Sequence, residues 1–445
     1  MENIDLNNKT NSTYDFEILD SFKIVIYSII GITIFFIPIS INGYVNTLIH
    51  HMALFIQERY IHLLKLYIVL MVIFGSIIPI LKYDKKNNDE IVHNIITLLR
   101  PISILLVLII FSQKEYYLHN NDSLLFIQEI ILKYTIVFSL GVFFMPLITD
   151  YGLIEVTEGY FNKYTKKNLN LSGKSVLNVF VYLFVDVFTG MFMTNKLYKL
   201  GKLRQSEACI IISCFSFFSI MNSIYLADKL KIQSKAFTII ISIILSIIIN
   251  SIVCRIWPLR QKKKSYFLKA KYKECNFKSN KFKKSIQRYL ENKEKKKLIY
   301  CMIENFKESF NIIMTILPNL VIIIFVGEFI INNTGLVESI SNILNPFIEA
   351  LKLPGKSSLS EFICLGLFNG GRYIELVNNE STSITTLIIF IVLIGQTVSI
   401  TTNVLYISST DIPLKITELI IIGLEKVFIT LIVISLIYYL FIGYI

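Results

Sequence analysis

Between residues 175 and 193 an otherwise apolar stretch carries one acid, Asp186, followed closely by Thr189 and Gly190 and then by Thr194 and Asn195. Hydrocarbon makes an unpartnered polar side chain costly, so such residues mark a helix contact, a cavity or a solute path. A carboxylate in that setting can take a cation, a proton, or a substrate amine or hydroxyl. A second interrupted stretch holds Asn369-Gly370-Gly371-Arg372 and then Glu375. Glycines permit a tight reversal, and free amides at the ends of half-helices can hold polar substrate groups. The same residues have a structural alternative, in which Asp186 pairs with a nearby lysine and Arg372 with Glu375.

Two apolar spans carry a matching polar face. In 207–226, Ser213, Ser216, Ser219 and Asn222 recur every third residue, and in 383–403, Gln396, Ser399 and Asn403 share a face with Thr402 beside them. Small hydroxyls also serve close helix packing, but Gln396 and Asn222 are too large and too polar for that role alone and favour a wet cavity. Glu328 and the pair Glu425-Lys426 are further candidates for coupling or internal pairing. No Ser/His/Asp, Cys/His or paired-carboxylate constellation has a catalytic spacing, so an enzyme is not expected. Cysteines at 209, 214, 254, 275, 301 and 364 form no CxxC, and the histidines are scattered. Neither a metal site nor a cofactor is expected.

The elements that must position these groups follow from composition. Hydrophobic residues are 54% of the 445-residue chain and charged residues 17%. That much apolar surface needs lipid to cover it. Spans are expected near 22–41, 62–81, 95–112, 130–149, 207–226, 237–257, 309–331, 383–403 and 417–442, each long enough for a bilayer core. Arg100, followed by Pro101, reads as a residue snorkelling from a helix end. The net charge of +12 sits in one loop: 258–300 holds 14 Lys and 2 Arg against 3 Glu. That pattern points to a cytoplasmic connector near anionic lipid headgroups and contains no nucleic-acid-binding module. Counting back from it places the N-terminus inside too. Basic residues flank both ends of 175–193, with Lys174 on one side and Lys196, Lys199, Lys202 and Arg204 on the other. A re-entrant hairpin returns both groups to one face and puts Asp186–Gly190 near its tip.

An internal repeat organises the second two-thirds of the chain. Gly152-Leu-Ile-Glu155 is echoed by Gly335-Leu-Val-Glu338, Leu171-Ser-Gly-Lys-Ser175 by Leu353-Pro-Gly-Lys-Ser357, and Ser219-Ile220 by Ser399-Ile400, at offsets of 180–183 residues. Each copy reads as span, interfacial helix, broken segment, span, span. Three crossings per copy would turn the second copy upside down, an arrangement that recurs in secondary transporters. The Gly-Lys-Ser triplets are not phosphate loops, because Asn168 and Ala350 stand where the first glycine is needed. Their glycines are expected to end the interfacial helices, and their lysines to sit at the headgroups.

The segment Met145-Pro-Leu-Ile-Thr-Asp150-Tyr-Gly-Leu-Ile-Glu155, the Gly173-Lys-Ser175 triplet and Met193-Thr-Asn195-Lys-Leu-Tyr198 resemble the YjiH-like membrane proteins. Pro38, Asn42-Gly43, Ser399–Tyr406, Pro413-Leu414, Glu418 and 425–431 fit the same resemblance. It implies nucleoside-recognition (Gate) domains and kinship with the gate region of concentrative nucleoside transporters. The regions around Asp186 and around 369–375 depart from the pattern.

The expectation is an all-α polytopic membrane protein with about nine transmembrane helices and two re-entrant, broken segments in an inverted repeat. Its parts are a polar tail (1–20), a three-helix region (21–128), a first Gate-like repeat (129–257), the lysine-rich loop (258–300) and a second repeat (301–445). The expected function is a permease in a bacterial cytoplasmic membrane for a small polar, nucleoside-like solute, with Na⁺ or H⁺ as coupling ion. A membrane scaffold or envelope or sporulation assembly factor is the alternative, and an oligomer is compatible with either.

Overall fold

The computed structural model describes residues 22–81, 91–112, 122–216, 219–269, 281–292, 297–368, 383–395, 407 and 410–442. The chain is a polytopic, almost wholly helical membrane protein. Six helical stretches among the described residues are long and apolar enough to cross a bilayer: Ile61–Pro79, Ile127–Phe144, Gln205–Lys229, Lys235–Val253, Leu298–Gly327 and Ile416–Leu440. Four shorter apolar helices join them.

The N-terminal region departs from a simple first span. Helix α1 (Phe22–Phe36) is too short to account for 22–41. The remainder forms an antiparallel ribbon of β1 (Pro38–Ile41) and β2 (Tyr44–Thr47). Asn42 and Gly43, at φ 52° and 82°, make the two-residue turn, for which Asn-Gly is the preferred pair. Helices α2 (Leu48–Arg59), α3 (Ile61–Leu81) and α4 (Ile91–Ser112) follow, and α3 and α4 pack on each other. Arg100 does not snorkel. It is buried in α4, and its Nε donates to Asn319 Oδ1 at 2.9 Å.

The first repeat comprises α5 (Asp122–Phe144), the amphipathic α6 (Leu153–Leu169), α7 (Ser175–Phe184), α8 (Val187–Lys199), α9 (Gln205–Phe215), α10 (Ile220–Lys229) and α11 (Lys235–Val253). Within the lysine-rich loop, α12 (Lys281–Asn292) is a strongly amphipathic helix that docks on α6. The second repeat has α13 (Leu298–Asn333), α14 (Leu336–Ala350), α15 (Lys356–Phe368), α16 (Ser383–Gly395) and α17 (Ile416–Ile442).

Equivalent elements keep the offset seen in the sequence. Gly152 and Gly335, both left-handed, open α6 and α14. The glycines of the Gly-Lys-Ser triplets do not end those helices. Asn170 (φ 55°) and Lys352 (φ 50°) are the left-handed residues that follow them. Lys174 does not face outward toward headgroups, since it is fully buried and its ammonium donates to the Lys202 carbonyl, whereas Lys356 of the second copy is exposed.

The copies run in opposite directions. Lys262, just after the end of α11, pairs with Glu418 in the first turn of α17. The far end of α17 lies by α14, where the Tyr439 hydroxyl meets the Leu351 carbonyl at 3.4 Å. Two hydrophobic clusters reflect the exchange. Ile407, Ile412, Leu414 and Leu419 join the core of the first copy, whereas Leu226, Ala227, Leu230 and Ile232 join Leu344, Ile348 and Leu353 of the second.

Candidate solute site at a helical hairpin tip

Helices α7 and α8 fold back on each other. Lys174 meets Lys202, Asn178 Nδ2 donates to Thr194 Oγ1 at 2.8 Å, and the Tyr182 ring covers Gly190. These pairs run antiparallel toward one apex at Val185-Asp186. The break is local chemistry. Asp186 is extended (φ −160°, ψ 168°) and caps α8, its Oδ1 accepting the Thr189 amide at 3.0 Å, as aspartate at a helix start favours. The Thr189 hydroxyl donates to Oδ2. A Cβ on Gly190 would stand 2.6 Å from the Tyr182 ring, so glycine lets the two arms close. Lys174 and the Lys199–Arg204 stretch therefore share one end, as their basic residues foretold.

Helix α5 supports the tip. Tyr134 and Phe138 pack edge-on against Phe188 and Phe192, at 5.2 and 6.0 Å between ring centres. Gly141 admits Thr189, whose Oγ1 would lie 2.7 Å from a Cβ there. Lys133, on the same helix, couples electrostatically to Glu129 one turn before it and more weakly to Asp186. Its ammonium also donates to Asn222 Oδ1 at 2.8 Å. Buried His50 of α2 closes the apex, with Nδ1 on the Thr47 hydroxyl at 2.7 Å and the ring beside the Val185 backbone.

Asn222 stands at a second break. The expected span 207–226 is two helices: α9 stops at Phe215, Ser216 leaves helical geometry, and Ser219 caps α10 by accepting the Asn222 amide at 3.4 Å. Helix α5 thus supports both discontinuities, packing on the hairpin through Tyr134 and Phe138 and reaching the α9–α10 break through Lys133. The arrangement can hold one polar group between a carboxylate, an ammonium and an amide. Beside it, Tyr134, Phe138, Phe188 and Leu317 line a gap of about 30 Å³, room for a water rather than a solute.

The expected residues divide. Asp186, Thr189 and Asn222 come together around Lys133. Gly190 and Thr194 serve the hairpin itself, Thr194 donating to the Gly190 carbonyl at 2.8 Å. Asn195 lies at the base, where its Oδ1 accepts the Asp411 amide at 3.4 Å. Ser216 and Ser219 bound the break, and the Ser216 hydroxyl donates to the Ile212 carbonyl at 2.7 Å. Asn369, Gly370, Arg372, Glu375, Gln396, Ser399 and Asn403 lie outside the described residues, as does the Glu328 side chain. Sequence reasoning missed Lys133, His50 and Tyr134. Lys133 near the start of a span carries no signal of its own, and only its neighbours give it a role.

Among the described residues no group of three or more His, Cys, Asp or Glu could hold a metal ion. The lone pair Glu425-Lys426 is split in role: Lys426 is buried and donates to the Cys214 carbonyl at 3.1 Å, whereas Glu425 Oε2 is buried without a hydrogen bond.

The chain is similar to an uncharacterized protein of Alkalihalophilus pseudofirmus, at 21% identity over 293 residues, which cover 64% of this chain and 63% of that one. The chain thus matches less than two thirds of that relative's length. No protein-family profile and no solved structure matches it.

Proposed function

We propose that the protein is a secondary carrier for a small polar solute, with the solute engaged at the hairpin tip. One observation carries this reading. A buried carboxylate, Asp186, sits at the apex of a helical hairpin, and Lys133 on the supporting helix is hydrogen-bonded to Asn222 at the neighbouring helix break. Both breaks lie in the first copy, and discontinuous helices within oppositely directed repeats are the recurring architecture of alternating access. The carboxylate would take a coupling cation, or a hydroxyl or amine of the solute, and Lys133 would exchange Asn222 for it. A nucleoside-like solute follows from the Gate-domain resemblance, and a Na⁺ or proton gradient is the proposed energy source. The proposed setting is a bacterial cytoplasmic membrane, with 258–300 on the cytoplasmic side.

Proteoliposomes loaded with the purified protein test this with labelled nucleosides, with and without Na⁺ and proton gradients. Saturable, gradient-dependent uptake that Asp186→Asn abolishes is the expected result. Uptake that is equal in wild type and variant would remove the assigned site.

A scaffold reading has its own support, because α12 docks on α6 and leaves Lys283 and Lys284 exposed as a formed basic surface. Deleting 281–292 should leave uptake intact if the carrier reading holds.

A further inference from the structure

A second cavity, of about 570 Å³, lies at the base of the first repeat, away from the hairpin tip. Its walls carry Lys166 from the end of α6, Arg204 at the start of α9, and Arg255, Arg260, Lys262 and Lys264 from the segment after α11. Among the described lining residues one carboxylate faces these six cations. That carboxylate, Glu207, spends both oxygens on backbone amides, Ser172 at 2.7 Å and Arg204 at 2.9 Å. Lys262 is matched by Glu418, and cationic side chains still outnumber carboxylates among the described residues of the wall.

The walls are fixed by the fold. The Gln205 and Ser206 amides donate to the Ser265 and Lys263 carbonyls at 2.9 and 3.0 Å, so the segment carrying the basic side chains caps α9. Arg204 lies over the Tyr266 ring, 5.7 Å from its centre, and Arg255 Nη2 donates to the Lys167 carbonyl at 2.9 Å. A solvated basic face would need no such anchoring. Guanidinium groups held in a concave site suit the flat, multidentate edges of phosphate, and a low-dielectric wall focuses their field. The volume lies within the range of small-ligand sites.

We propose that this cavity binds a phosphate ester carrying at least two negative charges. The chemistry is shared by an anionic phospholipid headgroup and by a free phosphorylated metabolite. It is independent of solute transport and more specific than general attraction of a basic loop to a charged membrane.

Two arms distinguish the sources. Native mass spectrometry of detergent-purified protein reads retained anionic phospholipid. Thermal stability in phosphatidylcholine nanodiscs, titrated with pyrophosphate, reads a free phosphate ligand. Retained lipid assigns the headgroup, and saturable stabilisation assigns the soluble ester. Arg260→Ala/Lys264→Ala removes two cavity cations at exposed positions and should weaken either signal roughly tenfold or more, with unliganded melting unchanged. Lys283→Ala/Lys284→Ala removes the same charge from α12 and should leave both signals intact. Equal loss in the two double variants would reduce the effect to a diffuse field and overturn the site. So would a wild-type protein that gives neither signal.

Discussion

The ammonium of Lys426 in α17 donates to the carbonyl of Cys214 at 3.1 Å, one residue before α9 stops. The carbonyls of a helix's last turn lack partners within it, and a cation there satisfies one of them and opposes the negative end of the helix dipole. Its counterpart lies in the other copy. Ser246 of α11 stands 3.3 Å from where a Cβ of Gly395 would be. Shifting Ser246 by the repeat offset gives Lys426, and shifting Phe215, the neighbour of Cys214, gives Gly395. Each copy's last helix therefore braces the other copy's polar-faced helix, and the exchange is reciprocal in position though not in chemistry.

Lys426→Met keeps the long stem and loses the charge and its hydrogen bond. The freed carbonyl should cost about 1–3 kcal/mol, offset in part because a buried ammonium no longer needs desolvating. Melting in detergent should therefore move by only a few degrees, while solute uptake falls about tenfold. Unchanged uptake would make Lys426 a packing residue.

At the hairpin tip, cap and charge can be separated. Asp186→Asn keeps an acceptor for the Thr189 amide and should cost a few tenths of a kcal/mol, whereas Asp186→Ala should cost about 1 kcal/mol. Both should abolish uptake equally. A loss of uptake that tracks the loss of stability would instead assign Asp186 to folding.

Gly190→Ala places a methyl group against the Tyr182 ring, where the two arms have no room to part without losing the Asn178–Thr194 hydrogen bond. A destabilisation of about 1–3 kcal/mol is expected. Gly190→Ala combined with Tyr182→Leu should recover part of it, and chemical denaturation of the two single variants and the double reads the coupling.

The opposite direction of the copies is open to direct labelling. In a background with the six native cysteines replaced, Lys163→Cys on α6 and Lys352→Cys after α14 should react with an impermeant thiol reagent from opposite faces of sealed vesicles. The five described native cysteines are buried, so they should react slowly with such a reagent even where one must be kept for stability. Labelling of both sites from one face would show parallel copies.

Arg100→Met should unlock α4 from α13 by leaving Asn319 Oδ1 without its charged donor, at a cost of about 1.5–3 kcal/mol. Asn319→Leu on top of it should restore stability if the bond is the whole of the effect. A melting series of the single and double variants measures this.

The sequence by itself determined the membrane class, the repeat with its offset, and the hairpin. Apolar run length, self-similarity and the basic residues flanking 175–193 are each complete within a short segment, and so is the capping preference that breaks the chain at Asp186. The Asn-Gly turn at 42–43 was equally local, but it was concealed by the apolar residues around it, which read as a continuation of the first span. Other features belong to the tertiary structure alone. Arg100 and Lys174 looked like cations bound for the interface, because a long basic side chain near a helix end has water as its default partner, and Lys133 drew no reading at all. Packing decided otherwise by bringing Asn222, Asn319 and the Lys202 carbonyl within reach. These three sit 89, 219 and 28 residues away in the chain, distances over which periodicity carries no information. The α9–α10 break escaped notice for a related reason. Ser216 and Ser219 suit a continuous helix face as well as a cap, and what chooses between them is the hairpin and the Lys426 ammonium packed against that helix.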